Sequence, residues 1–188
     1  MPNLPEMSAA QWTVLALAAV LVFWVLGAYN RLVELRNAIG AAWAQIDVAL
    51  KQRGGVAAPL IQALRGPLAM EQGALDALAG ALAQAQQAAQ ALGARPVAVA
   101  RVAEWVQAET QLASASSRVL ALLDQHQEQA AAAGVAPLLD TWRAASVQLA
   151  FARKVFDTAA RKYNAAASQH PTRWLLRLFG FGVAGVLD

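Results

Sequence analysis

The sequence predicts an all-α chain: an N-terminal transmembrane helix continuing into an elongated antiparallel four-helix bundle, with a C-terminal amphipathic segment. Three observations lead there. An uncharged run of 21 residues, Ala9 to Tyr29, lies near the start. Beyond it, large apolar residues recur at three-four spacing, the period of a helix with one buried face. Finally, 47 of the 188 residues are alanine, the strongest helix former, whereas β-branched residues are sparse and never alternate.

The opening run reads AAQWTVLALAAVLVFWVLGAY. As a helix it spans about 31 Å, the thickness of a bilayer's hydrocarbon region. Ser8 is placed to cap it. Trp12 near one end, and Trp24 and Tyr29 near the other, suit the two interfaces. A cleaved signal peptide fits less well. The segment before the run has no Lys or Arg and carries Glu6, and Leu26 would occupy a position that cleavage requires to be small. Glu6 is the one charge ahead of the run, whereas Arg31, Arg36, Lys51 and Arg53 follow it. Positive charge stays in the cytoplasm, so residues 1–8 are expected outside, 9–29 across the membrane, and 30–170 as a cytoplasmic bundle. Residues 171–188 form the tail.

The first helix continues without a proline to Arg53, carrying the stripe Leu32, Leu35, Ile39, Trp43, Ile46 and Leu50, and Gly54-Gly55 is expected to end it. A second helix is expected from about Val56 to Leu92, with Leu60, Leu64, Leu68, Leu75, Leu78 and Leu82 inward and Gly66-Pro67 kinking it or shortening its regular part. Gly93 and Pro96 make the next break. A third runs from about Val97 to Ala132, with Val102, Trp105, Leu112, Val119 and Leu122 or Leu123 inward, and Gly134 to Pro137 close it. A fourth spans about Leu138 to Ser168, with Leu139, Trp142, Leu149, Phe156 and Tyr163, and Pro171 stops it. These bounds leave a mismatch, because the second and third helices come out longer than the soluble part of the first.

Short loops make the four helices pack up-down-up-down, which returns the fourth helix to the membrane. The tail then arrives beside Tyr29 and Asn30, carrying Arg173, Trp174, Arg177, Phe179 and Phe181. Two readings stand for it: an interfacial anchor, or a segment that folds onto the bundle or pairs with another subunit. Arg31, Arg36 and Arg95 belong to the same end, where an anionic leaflet attracts each basic residue. The pairs Tyr29-Asn30 and Tyr163-Asn164 also fall there and read as a structural lock at headgroup level.

Little in the chain points to chemistry. There is no cysteine, His126 and His170 stand alone, and the carboxylates are scattered singly. Neither a Glu-x-x-His pair nor a phosphate-binding glycine loop occurs. No catalytic, cofactor-binding or metal site is expected, and the protein is expected not to be an enzyme. The formal charge is +3 with a pI near 9.8, yet no basic run or aromatic-basic platform accompanies it, so nucleic acid is not an expected partner.

Taken in order, several blocks resemble the LemA family of bacterial membrane-anchored helical proteins. The first holds Tyr29-Asn30, Leu32-Val33, Leu35-Arg36, Trp43, Ile46-Asp47-Val48, Leu50, Lys51 and Arg53. Leu60, Ile61, Gly66 and Glu71 are similar to its second, and Arg153, Tyr163-Asn164, Pro171 and Phe179-Gly180-Phe181 to its closing block. Departures mark a divergent member. Gly55 and Ala58 stand where the family usually has aspartate and then proline, Pro59 comes one position late, and Phe156-Asp157 replaces an earlier Tyr-Asn. The resemblance implies a helical cytoplasmic domain on one N-terminal span in a bacterial inner (plasma) membrane, and it supplies no reaction. The expected role is a non-enzymatic scaffold that self-associates through alanine-rich faces as a homo-oligomer and organises or remodels the bilayer. The alternative is an adaptor that binds another membrane protein in envelope or stress signalling.

Overall fold

The computed structural model describes residues 8–126, 128, 131, 134–169, 173, 179 and 181–187. Among these residues four long helices and no strand occur: α1 (Ala9–Leu64), α2 (Gln72–Ala94), α3 (Val99–Gln125) and α4 (Ala136–Ser168). Helix α1 begins at a capping box. The Ser8 hydroxyl accepts from the Gln11 N–H, and the Gln11 side chain accepts from the Ser8 N–H at 2.8 Å. From there 56 residues run unbroken, a rod of about 84 Å. Its first four turns are bare: Trp12, Leu17 and Phe23 are all more than half exposed, and the first buried residue is Leu32. Among the described residues one helix is therefore long and apolar enough to cross a membrane, and none of them covers its most apolar stretch.

Gly54-Gly55 does not end α1 as the sequence leads one to expect; the helix continues to Leu64. Two glycines cost about 1 kcal/mol each in a helix, and Pro59 about 3 kcal/mol. Val56, Ala57, Leu60, Ile61 and Leu64 are buried in return, and large apolar side chains contribute about 1.5–3 kcal/mol each. Burial outweighs the local breakers. The expected kink at Gly66-Pro67 is instead a full reversal, and the expected second helix starts only at Gln72. A short 3₁₀ turn, Ala69–Glu71, fills the corner. The Gln72 side-chain amide donates to the carbonyls of Arg65, the C-cap of α1, and Leu68 at 3.1 Å, tying the start of α2 to the end of α1. These two corrections reverse the length mismatch: α1 continues to Leu64, 35 residues beyond Tyr29, against 23 residues in α2 and 27 in α3.

Helix α1 packs chiefly against α4, and α2 against α3, in the up-down-up-down order. The buried side chains form two clusters. The lower one, beside the apolar span, holds Leu32, Ile39, Trp43, Ile46, Trp105, Phe156 and Tyr163. The upper one holds Leu60, Leu64, Leu68, Leu75, Leu78, Leu112, Val119 and Leu123. Most of the expected stripe residues lie in these clusters; Leu35, Leu50, Leu82, Leu139 and Trp142 are only partly buried against them.

The lower cluster is built around aromatic rings. Trp43 meets Trp105 edge-on at 5.5 Å and Phe156 at 6.3 Å between centroids. Gly93 lets α2 come down onto this group: a Cβ there would lie 2.9 Å from the Trp43 Nε1.

Candidate functional site at the foot of the bundle

The end of the bundle next to the apolar span concentrates the singled-out residues. Tyr29, the last residue of the apolar run, packs against Phe179 at 5.1 Å and Phe181 at 5.8 Å. The Arg36 guanidinium lies 5.8 Å from the Phe181 ring centroid, a cation–π contact. Residues 181–187 are not helical; they form a strap that climbs back along the bundle. The Tyr163 hydroxyl donates to the Gly182 carbonyl at 2.8 Å. The Asn164 side chain reads Ala184 from both sides, donating to its carbonyl at 2.9 Å and accepting from its N–H at 2.8 Å. Asp157 accepts from the Leu187 N–H at 2.6 Å, and the Gly185 N–H donates to the Val97 carbonyl at 3.2 Å. A Cβ at Gly185 would lie 2.7 Å from the Val102 side chain, so the strap fits only because that residue has none.

Of the two Tyr-Asn pairs, Tyr163-Asn164 fastens the chain's own C-terminal strap, while Tyr29 packs on Phe179 and Phe181 and Asn30 is exposed. Of the two readings of the tail, residues 181–187 take the folded-back one, with Ala184 and Leu187 buried. Burial pushes the Tyr163 hydroxyl above its ordinary value of 10.0, against the opposing pull of the Arg36 charge.

The other expected residues are spread along the molecule. Trp12 and Trp24 lie bare on the apolar span, and Asn30, Arg31 and Arg173 are exposed. Ile46 is fully buried beside Trp43, while Asp47 faces outward and pairs with Lys51 one turn on, at 2.7 Å. Gly66 and Glu71 belong to the upper corner, far from the foot. Pro171, Trp174 and Arg177 lie outside the described residues.

Charge is sorted along the rod. Among the described residues level with the lower cluster there are ten cations (Arg31, Arg36, Lys51, Arg95, Arg101, Arg153, Lys154, Arg161, Lys162, Arg173) against four carboxylates (Glu34, Asp47, Glu104, Asp157). Level with the upper cluster there are three (Arg65, Arg118, Arg143) against five (Glu71, Asp76, Asp124, Glu128, Asp140).

Between the clusters sits a feature that the sequence reasoning missed. The Arg53 Nη1 and Nη2 donate to the two Glu109 carboxylate oxygens at 2.9 and 2.6 Å, with both residues only 6% exposed. The guanidinium also lies 5.8 Å from the Trp142 ring centroid. The signal was present. Glu109 continues the apolar stripe Val102, Trp105, Leu112 at helical spacing, and a lone charge on such a stripe calls for a buried counter-charge.

The sequence matches the LemA family over residues 42–187. The chain belongs to the LemA family. The match takes in Trp43, Asp47, Gly66, Glu71, Tyr163-Asn164 and the C-terminal strap, whereas Tyr29-Asn30 and the apolar span lie ahead of it. A comparison with curated proteins finds no match. In this LemA-family chain, the matched Tyr163-Asn164 pair is the element that closes the strap against the bundle.

Proposed function

We propose that this LemA-family chain is a non-enzymatic scaffold, anchored by residues 9–29 in a bacterial inner membrane and standing on its cytoplasmic face, where it self-associates. The charge polarity of the rod carries the reading. The cation-rich end is the one beside the apolar span, which suits an anionic cytoplasmic leaflet and the retention of positive charge in the cytoplasm. Topology is directly testable because the chain has no cysteine. A thiol placed by Asn3→Cys should react with an impermeant reagent in intact spheroplasts, and one placed by Thr110→Cys only after permeabilisation. The reverse pattern sinks the orientation.

Support for self-association comes from the outer face of α1 and α4. Val48, Val147 and Phe151 are each more than half exposed there, above a groove floored by Ala38, Ala41 and Ala42. Small residues allow helices of neighbouring copies to approach closely. Arrays of such rods, all standing the same way up, organise or bend the bilayer beneath them. Mass measurement in mild detergent should give a multimer that Phe151→Glu dissociates. A wild-type chain that is strictly monomeric in detergent and in lipid overturns the scaffold. In-cell crosslinking from residue 151 then separates it from the adaptor reading, in which the same face yields a foreign protein in fixed ratio.

A further inference from the structure

A groove of about 420 Å³ opens at the foot, between α1 and the α2–α3 connection. Arg36, Asn37 and Gly40 line one wall; Arg95, Pro96 and Ala98 line the other. Both arginines are exposed, and among the described residues neither is paired with a carboxylate. We propose that this groove seats the phosphate of an anionic phospholipid headgroup from the leaflet on which the bundle stands. The proposal rests on the membrane-anchored reading above and adds to it a defined binding site.

Height is the first reason. Arg36 lies seven residues beyond Tyr29, about 10 Å above the end of the apolar run along an unbroken helix. Side chains on a helix lean toward its N-terminus, which here is toward the lipid. A guanidinium starting at that height reaches down into a headgroup layer roughly 5–7 Å thick. Chemistry is the second. Two guanidiniums across one groove match the oxygens of a phosphate, and the Asn37 amide adds a neutral donor on the same wall.

Preorganisation is the third reason. Phe181 lies against the Arg36 guanidinium, and the Phe181 backbone leads directly into the strap that Tyr163 and Asn164 fasten. The chain's own C-terminus thus keeps one of the two cations in place. A zwitterionic headgroup presents the same phosphate but adds a cation that the two arginines repel, so the groove selects net negative charge.

Native mass spectrometry of the full chain, released from mild detergent with equal phosphatidylglycerol and phosphatidylcholine, tests this. The wild-type chain should retain phosphatidylglycerol in preference. Arg36→Gln and Arg95→Gln should each weaken retention about five-fold, and the double variant about twenty-five-fold. Arg118→Gln, an exposed change at the far end, should leave it unchanged. Equal retention by the double variant, or equal loss in Arg118→Gln, overturns the site. Displacement of the lipid by inorganic phosphate alone at matched concentration overturns the lipid assignment and makes the groove a site for the free ion. Carbonate extraction separates the two levels of failure. A double variant that stays in the membrane but keeps its lipid refutes the groove alone, whereas release of the wild-type chain refutes the anchor and the groove together.

Discussion

The two halves of the bundle are held together by different means. The lower half packs aromatic rings, carries an excess of cations, and is closed by a strap through five hydrogen bonds to Tyr163, Asn164, Asp157 and Val97. Among the described residues the upper half packs aliphatic side chains, chiefly leucine and alanine, without a strap, and it ends in a corner held by the Gln72 amide and by Arg65, which bonds Gln72 and pairs with Asp76. Arg53 and Glu109 mark the boundary. Specificity in this molecule is therefore concentrated beside the apolar span, while the far end is a plain helical bundle whose residues are exchangeable for others of similar size.

That contrast can be broken at its boundary, where the largest effect is expected. Glu109→Ala leaves the Arg53 guanidinium buried without its counter-charge, and denaturant unfolding of the full chain in detergent should show a loss of about 3–5 kcal/mol. Arg53→Met combined with Glu109→Leu should recover most of it, because the pair's own net contribution is small against its desolvation. Failure of the double variant to recover would mean that the pair also fixes the register between the halves.

Cavity formation sharpens the comparison next. Phe156→Ala below should cost about 3–5 kcal/mol and Leu78→Ala above about 2–5 kcal/mol. Hydrogen exchange in the strap should rise only for the first. If both raise it equally, the halves unfold as one unit and the division is merely compositional.

Asn164→Ala removes two strap bonds at once and should cost about 1–3 kcal/mol, with protease sensitivity appearing near residue 184 and not in the upper corner. Tyr163 adds a pH test. Its folded-state value is raised above 10.0, so its contribution is complete below about pH 10 and is lost as the pH rises through the higher folded value. Tyr163→Phe should flatten that alkaline decline, and a profile identical to wild type would count against the strap bond. The smallest effect belongs to Asp47→Asn, which breaks an exposed pair with Lys51 and should shift stability by no more than about 0.5 kcal/mol.

The contrast also explains what could be read from the sequence. Periodicity and apolar length are local signals, so the span, the four helices and nearly all of both buried stripes were legible. Gly54-Gly55 and Gly66-Pro67 carry the same local meaning as breakers, yet only the second breaks the helix. The difference lies in Leu60, Ile61 and Leu64, whose burial depends on partners far along the chain. The strap was illegible in its path for the same reason. Its side-chain bonds join residues 19 to 30 apart, its backbone bond joins Gly185 to the distant Val97, and none follows a period, so only the Tyr-Asn pairing hinted at them. Arg53 and Glu109 each continue an apolar stripe at helical spacing, but no local signal joins two charges 56 residues apart, and the pair was missed.

Helix α1 has no joint between its bare segment and the bundle. A shaft of this kind turns small changes at one end into large ones at the other. Beyond Tyr29 it extends about 52 Å, so a swing of about 10° by the bare segment sweeps its tip through about 9 Å. In the proposed membrane-anchored state, thickness or curvature of the surrounding bilayer would then register as displacement of the Gly66-Pro67 corner, with the strap as a brace at the base.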